Sequence, residues 1–540
     1  MEAAFTGVIH PTQMTTSLTK INLCQDINPR KEETMMRRRI LLLITVFCAV
    51  LLAACAAEQP AKPENSKLNW FNSLNEGEPD STNRQQEDDS LFKMQTGQQI
   101  GINLYFYDES DGQLSPEIQS ISDEFRGSNL IQQAVKELAK GPDSNELIST
   151  LPKDLKVNRV KFAENIITVD LSSEFYQSEN LPLTRASLVN TILELGNAKY
   201  VKLLVDGKDA VVSSDLQRVV PGLLTRYPVK IADIIAQETQ TFDNPATAKI
   251  NRELFFQDNT GRFLLPEVRT IMVKGGKYAE AIIRELTKGP EKEGMGYFPT
   301  LPKGTTLLKT ETVNEDENTG IALYFSKEFS GQFADDSEQE NLTISSILYS
   351  ISTLPGIDFV NIHYDDGHGQ FISKPSTINK YQSSLQNMTI EYEPDKFGKR
   401  IRVYFCDEQG MLLVPEYRAI SQNEKNVLSR IMTELSTEPL SPGSVRVIPS
   451  EVSQEDIRIK TLDNMAVVDI PFHYFNSMEK DNKRLIQSLY AVVNTLTVPI
   501  NSCGISEVQF TVGGNLVDSH MDISLKEPFM MNPALIKEEP

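Results

Sequence analysis

One phrase occurs three times in the chain. Leu104 to Ile121 reads LYFYDESDGQLSPEIQSI, Leu254 to Ile271 reads LFFQDNTGRFLLPEVRTI, and Val403 to Ile420 reads VYFCDEQGMLLVPEYRAI. Three anchors hold the copies in register. They are Pro116-Glu117, Pro266-Glu267 and Pro415-Glu416; the prolines Pro142, Pro290 and Pro439; and the later Pro152, Pro302 and Pro449. Successive copies are spaced 147 to 150 residues apart. A period of that length means tandem domains and not a solenoid, whose units run about 20–50 residues. The 540 residues of the chain agree, since domains of roughly 150 residues give three or four.

The phrase itself reads as a hairpin. Leu104-Tyr105-Phe106, Leu254-Phe255-Phe256 and Val403-Tyr404-Phe405 are strand formers. Asp258 to Gly261 and Asp407 to Gly410 put Asp first and Gly fourth, as a type I turn prefers; the first copy has one residue more, Asp108 to Gly112. The proline in the short strand that follows confines that strand to a sheet edge or to a strand start. A helix comes next, with Leu130, Ile131, Ala134, Val135 and Leu138 on one face in the first copy. Gly-Pro stops it in the first two copies, and Glu438-Pro439 stands there in the third. Two strands, a second helix and a last strand complete each copy. The expected fold class is α+β: three tandem β-β-α-β-β-α-β domains, each a mostly antiparallel sheet covered by two helices.

The N-terminus carries an address. Arg37-Arg38-Arg39 precedes the 13 apolar-rich residues Ile40 to Leu52, a secretory signal pattern too short for the roughly 20 residues that span a bilayer. Leu52-Ala53-Ala54-Cys55 resembles the lipobox of bacterial lipoproteins. That resemblance implies cleavage before Cys55, diacylglyceryl on its thiol and attachment to the membrane. An ordinary signal with an incidental cysteine is the alternative. Residues 1–34 read as a mis-called N-terminal extension, 35–54 as the signal peptide, and 55–98 as a disordered tether rich in Pro, Asn, Glu, Gln and Ser. As a coil the tether spans about 35–40 Å. The first domain is expected at 99–214, a linker at 215–247, the second domain at 248–375, a linker at 376–388, and the third domain with a C-terminal tail at 389–540.

The net charge of −21 argues against nucleic acid, whose phosphates require a basic face; the acidity serves solubility. After Cys55 only Cys406 and Cys503 remain, so no disulfide scaffold exists. One Cys406–Cys503 bridge is open to the sequence, and two free thiols are preferred.

The phrase VYFCDEQGMLLVPEYRAI, the ELxKGP helix end, LISTLPKDLKV, ITVDLSSEF, SLYAVVNTLTVPINSCGISEVQFTVGG and the tail MDISLKEPFMMNPALI together resemble the GerMN (Germane) domain of bacterial sporulation and spore-germination lipoproteins. The resemblance runs through nearly all of residues 99–536. It implies a non-enzymatic protein whose domains resemble ring-building motifs. It also implies a part in building or supporting the envelope apparatus between mother cell and forespore, with envelope or sporulation-apparatus proteins as partners and oligomers permitted. The familiar members carry two such domains, and this chain carries three.

Residues that could do chemistry were weighed one by one. His363, Asp365, Asp366 and His368 suggest a metal site but lack the helical His-Glu-x-x-His spacing and fall in a hairpin turn. Gly275-Gly276-Lys277 lacks the P-loop spacing, with Ile271 and Tyr278 in the required places. A calcium loop begun at Asp108 would put Gly112 and Gln119 where ligands belong. No Gly-x-Ser-x-Gly elbow occurs. No catalytic, metal or cofactor residue is therefore assigned. The recurrent Glu117, Glu267 and Glu416 are the best polar candidates. They read either as a contact shared with a partner or, preferably, as ion pairs or backbone caps within each domain. The expected function is that of a non-catalytic, lipid-anchored interaction or assembly protein on the extracytoplasmic face of the bacterial membrane. The alternatives are a binder of wall glycan or small ligands, for which the non-recurring Tyr297 and Tyr417 offer little, and a wall-modifying hydrolase.

Overall fold

The structure, a computed structural model, describes residues 99–537 except 215–216, 243–246, 331–332, 334–336, 376–383, 390–392 and 479–480. Cys55, its signal and the tether lie outside the described residues.

The first repeat runs β1 (Gln99–Asp108), β2 (Gln113–Ser122), α1 (Gly127–Lys140), β3 (Leu147–Ile148), β4 (Val157–Ala163), β5 (Ile166–Leu171), α2 (Leu181–Leu195), β6 (Tyr200–Val205) and β7 (Lys208–Asp209). A connection follows, with β8 (Val212–Ser214), β9 (Gln217–Val219) and α3 (Ile231–Phe242). The second repeat runs β10 (Thr247–Gln257), β11 (Leu264–Lys274), α4 (Tyr278–Thr287), β12 (Leu307–Glu315), β13 (Asn318–Phe325), α5 (Ser337–Ile351), β14 (Phe359–Asp365) and β15 (Phe371–Ile372). The third runs β16 (Gly398–Asp407), β17 (Leu413–Ser421), α6 (Val427–Leu435), β18 (Ser444–Val445), β19 (Arg458–Leu462), β20 (Met465–Ile470), α7 (Asn482–Thr497) and β21 (Glu507–Val512). The tail adds β22 (Ser519–His520), β23 (Ile523–Ser524) and β24 (Phe529–Met530).

The fold is α+β and its main elements follow the expected order. Within each repeat the strands divide between two small sheets. In the first, one has the order β2-β1-β3 and the other β4-β5-β6-β7. Most pairs are antiparallel, but β5 and β6 run parallel, as do β13 with β14 and β20 with β21. A parallel pair needs a crossover, and the second helix of each repeat supplies it. The hairpin strand expected to be short is long, spanning 10, 11 and 9 residues in β2, β11 and β17. Its turn closes as Asp and Gly imply: Gly261 N–H donates to Asp258 O at 3.2 Å and Gly410 N–H to Asp407 O at 2.9 Å.

Each repeat has its own apolar core. Phe106, Val135, Val169 and Val189 are fully buried in the first, Phe256, Ile283, Phe325 and Ile347 in the second, and Phe405, Leu435, Val468 and Leu489 in the third. Burying such side chains contributes about 1.5–3 kcal/mol each. The second helices are buried on polar positions too. Thr184, Ser187, Asn190 and Thr191 of α2 are buried, because these side chains bond the neighbouring strand and connection. Thr191 Oγ1 accepts from Tyr105 N at 3.1 Å, and its counterpart Thr495 accepts from Tyr404 N at 3.1 Å.

The segment expected as a linker at 215–247 is folded where it is described. Arg185 of α2 and Glu238 of α3 form a buried ion pair, with Nε to Oε1 at 2.8 Å. Asn190 exchanges two hydrogen bonds with the Tyr227 backbone, and Leu114 N–H donates to Val229 O at 2.7 Å. An apolar-and-acidic helix beside a buried arginine cannot stay in solvent without leaving that charge unpaired. Gly222 carries the chain against β10 with φ +73°. A Cβ there would lie 2.3 Å from Asn251 O, so only glycine fits. In the second connection, Met388 pairs with Val360.

Candidate functional site

The recurrent glutamates sit on β2, β11 and β17, and each faces the end of the first helix of its repeat. Glu117 accepts from the amides of Asp143 and Ser144, both at 2.9 Å. Glu267 accepts from Glu291 N at 3.1 Å and Lys292 N at 3.4 Å. Glu416 accepts from Leu440 N at 2.7 Å and Ser441 N at 3.0 Å. The residue two places on completes the brace. Arg269 Nε meets Glu267 at 2.8 Å, and its Nη1 donates to Glu285 O at 3.2 Å. Arg418 Nε meets Glu416 at 2.7 Å, and its Nη1 donates to Glu434 O at 2.8 Å. In the first repeat Gln119 takes the same place, donating to Glu117 at 2.8 Å and to Gly141 O at 3.1 Å.

The geometry has one physical sense. A helix leaves its last carbonyls unsatisfied and carries partial negative charge at that end. A cation or amide donor from the strand satisfies them, while the glutamate collects the amides of the turn beyond. Residues i and i+2 of a strand share a face, so Pro-Glu-x-Arg delivers both groups together. The second half of this motif, Gln119, Arg269 and Arg418, was missed from the sequence although it lies in the thrice-repeated phrase. Its signal was the two-residue spacing on a strand.

Burial works against the Glu117 charge, but the amides of Asp143 and Ser144 and the Gln119 side chain outweigh it and hold its pKa below the usual carboxylate range. The folded value being depressed, its stabilisation is complete above the ordinary glutamate pKa of about 4.3 and is lost as pH falls through the lower folded value. We therefore expect the Asp143 and Ser144 amides, corrected for intrinsic exchange, to lose hydrogen-exchange protection below about pH 4 and to keep it between pH 5 and 7. Protection that is flat through that fall would remove the carboxylate from the brace.

The other candidates resolve into local structure. Asp365 and Asp366 spend their carboxylates on turn amides, Gly367 N at 2.8 Å and His368 N at 2.7 Å. His363 stacks on Tyr324 with centroids 4.6 Å apart. Asp108 accepts from the backbone and hydroxyl of Ser110 at 2.9 and 2.6 Å. Gly275 and Gly276 form a left-handed turn before α4, and Lys277 pairs with Glu280 at 3.4 Å. Cys406 is buried and Cys503 half-buried, and both are free thiols. Burial pushes Cys406 up to about 11, away from thiolate reactivity.

What no sequence reading anticipated is how the repeats join. Lys202 and Asp209 of the first repeat meet Arg252 and Glu253 of β10, all four side chains at most 7% exposed. Arg252 Nη1 donates to Asp209 Oδ2 at 2.7 Å and its Nη2 to Thr353 Oγ1 at 2.8 Å. Lys202 pairs with Glu253 and lies 3.7 Å from Asp209. Burial disfavours the Arg252 charge, yet Asp209 and Glu253 hold its pKa above the ordinary value. Glu253 is likewise held low by Lys202 and Arg252 against burial.

A second junction takes in all three repeats. Glu164, in the turn between β4 and β5, receives a two-pronged contact from Arg400 of β16, at 2.7 and 3.0 Å. Arg400 also donates to Met295 O at 3.0 Å and lies over the Tyr297 and Tyr417 rings. Those two tyrosines, weighed from sequence as ligand-facing groups, are buried around this guanidinium. Beside it, Phe397 packs edge-on against Phe255 and Tyr349, with centroids 5.5 and 4.6 Å apart. Among the described residues, no helix is long and apolar enough to cross a membrane, and no group of three or more His, Cys, Asp or Glu is placed to hold a metal ion.

Comparison with known proteins agrees with the threefold architecture. The family model described as Germane, sporulation and spore germination, matches residues 103–211, 253–367 and 402–518. Among solved structures, the tandem GerMN domains of the sporulation protein GerM from Bacillus subtilis are 17% identical and cover 55% of this chain and 99% of their own, with a TM-score of 0.22. The first GerMN domain of that protein is 23% identical and covers 21% of this chain and 86% of its own, with a TM-score of 0.18. No curated protein matches the chain. With its domain matched three times over more than half of the sequence, the chain belongs to the Germane family of sporulation and spore germination.

Proposed function

We propose that the chain is a lipid-anchored extracytoplasmic protein that acts without catalysis, as an interaction or assembly component in sporulation or spore germination. The anchor is Cys55, in the lipobox-like Leu-Ala-Ala-Cys; two acyl chains give stable attachment at about 0.8 kcal/mol per buried CH₂. One observation carries the interaction reading: the polar residues that recur between repeats are spent on internal braces, and the buried charges lock the repeats together. A brace repeated in this way maintains a shape, and a maintained shape serves contact with other proteins. Strands β2, β12 and β19 lie at sheet edges, and Ile118 on β2 is 72% exposed. Edge strands are templates for pairing with another chain.

The test is a crosslinking pull-down of the anchored protein from growing and from sporulating cells, read by mass spectrometry. The expected partners are sporulation envelope proteins, recovered from sporulating cells alone. Recovery with wall-synthesis or wall-hydrolysis proteins from growing cells would replace this reading by a general envelope role.

A further inference from the structure

Strand β2 pairs with β1 along one edge and turns the other edge outward. Leu114 N–H donates on that outer side, to Val229 O at 2.7 Å, and Gln113 bridges to Lys230. The segment after the first repeat thus closes the start of the edge. Alternate residues of a strand share a side, so the backbone groups of Pro116, Ile118 and Ser120 lie on the same edge as those of Leu114. All three residues are exposed, Ile118 to 72%. The Ile118 side chain lies flat on β1 and leaves the edge clear: a Cβ on Gly101 would stand 2.8 Å from Ile118 Cγ2. Elsewhere the chain covers this edge itself. At β11, Pro266 O accepts from the Tyr297 hydroxyl at 3.1 Å. At β17, Tyr417 and Ala419 stand in the places of Ile118 and Ser120 and are each 7% exposed. Other edge strands carry charge, which discourages pairing: Arg159 on β4, Lys309 and Glu311 on β12, Arg458 and Lys460 on β19. On β2 the one charged side chain, Glu117, is drawn into the brace.

We infer that this edge of β2 pairs with the same edge of a second copy of the chain, antiparallel and about a twofold axis. Such an interface is isologous, so each contact occurs twice. Centred on Gln119, it sets Ile118 opposite Ser120 of the second copy, where amides and carbonyls exchange hydrogen bonds. Pro116 has no N–H to donate but presents its carbonyl to Ser122 of the second copy. The charges at the two ends of the strand agree with this direction. Lys230 stands at the start of the edge, and the exposed Glu124 lies just past its end. Antiparallel pairing brings Glu124 of the second copy toward Lys230. It also brings Arg126 of the second copy toward Glu109 and Asp111 of the hairpin turn, all three being exposed. A parallel arrangement would set Glu124 against Glu124 instead. The net charge of −21 repels a second copy at long range. Physiological salt screens that repulsion beyond about 8 Å, and the end pairs act inside that distance.

The experiment is sedimentation velocity of the purified full chain across the micromolar range at physiological ionic strength. The expected result is a reversible monomer–dimer equilibrium, with the Ile118 and Ser120 amides exchanging more slowly as concentration rises. Ile118→Lys puts a charge at the centre of the edge and should weaken the dimer about tenfold or more. Ser120→Pro removes an outward amide without touching the β1 ladder and should act in the same direction. Lys230→Glu should weaken the dimer about fivefold, and adding Glu124→Lys in the same chain should restore it. Lys230 and Glu124 are exposed, so this charge swap keeps the test open where a strand variant fails to fold. A chain that is monomeric throughout, an assembly larger than a dimer, a dimer indifferent to Ile118→Lys, or a charge swap that restores nothing would overturn the proposal. Other proteins recovered in the pull-down with a monomeric chain would overturn it and leave the proposed function standing. A dimer without such partners would do the reverse.

Discussion

Replacing Asp209 with Ala is expected to destabilise the protein by about 3–5 kcal/mol, the usual cost of stranding a buried charge. Asp209 is 3% exposed and binds Arg252 at 2.7 Å, Thr353 at 3.1 Å and, more distantly, Lys202. Without it, two buried cations would share the single carboxylate of Glu253. The loss should appear as a lower urea midpoint. Hydrogen exchange should rise together in 199–210, 247–257 and 350–358, because those segments meet at this cluster. Exchange in 402–435, within the third repeat, should change little. Asp209→Asn, which keeps the shape and loses the charge, should cost less. An unchanged midpoint for the alanine variant would mean that Arg252 is not held by this pair.

The braces make a graded prediction. Glu267 and its partner Arg269 have side chains 0% and 2% exposed. Glu267→Ala would leave a buried guanidinium without its carboxylate and open the Glu291 and Lys292 amides, a loss of about 3–5 kcal/mol. Glu117 is only half-buried and its partner Gln119 is neutral. Glu117→Ala should therefore cost about 1–3 kcal/mol, the price of unmet hydrogen bonds alone. Equal costs at the two sites would show that the arginine adds nothing. Loss of partner binding by Glu117→Ala with stability intact would instead make the glutamates a contact surface.

Much of each repeat could be read without coordinates, for reasons visible at particular residues. The Asp258-to-Gly261 turn depends on backbone chemistry confined to four residues. Ile131, Val135 and Leu138 of α1 declare their buried face by helical spacing alone. The α2 helix was harder. Its buried Thr184, Ser187 and Thr191 look like a solvent face in sequence, and only the Thr150 carbonyl, for Thr184, and the β1 backbone at Tyr105, for the other two, make them interior. Residues 215–247 looked like a linker because nothing local reveals that Glu238 has Arg185 to meet, 53 residues away.

The sequence by itself determined the number of repeats, their α+β order and the hairpin turns. Each follows from periodicity, turn chemistry or local composition, which act between residues close along the chain. The tertiary structure alone decided that the glutamates brace helix ends, that the strands part into two sheets, and that Lys202, Asp209, Arg252 and Glu253 fuse neighbouring repeats. Those outcomes depend on which charges leave water together. That is set by contacts such as Glu164 with Arg400, 236 residues apart, and no local pattern encodes a desolvation shared across such a distance.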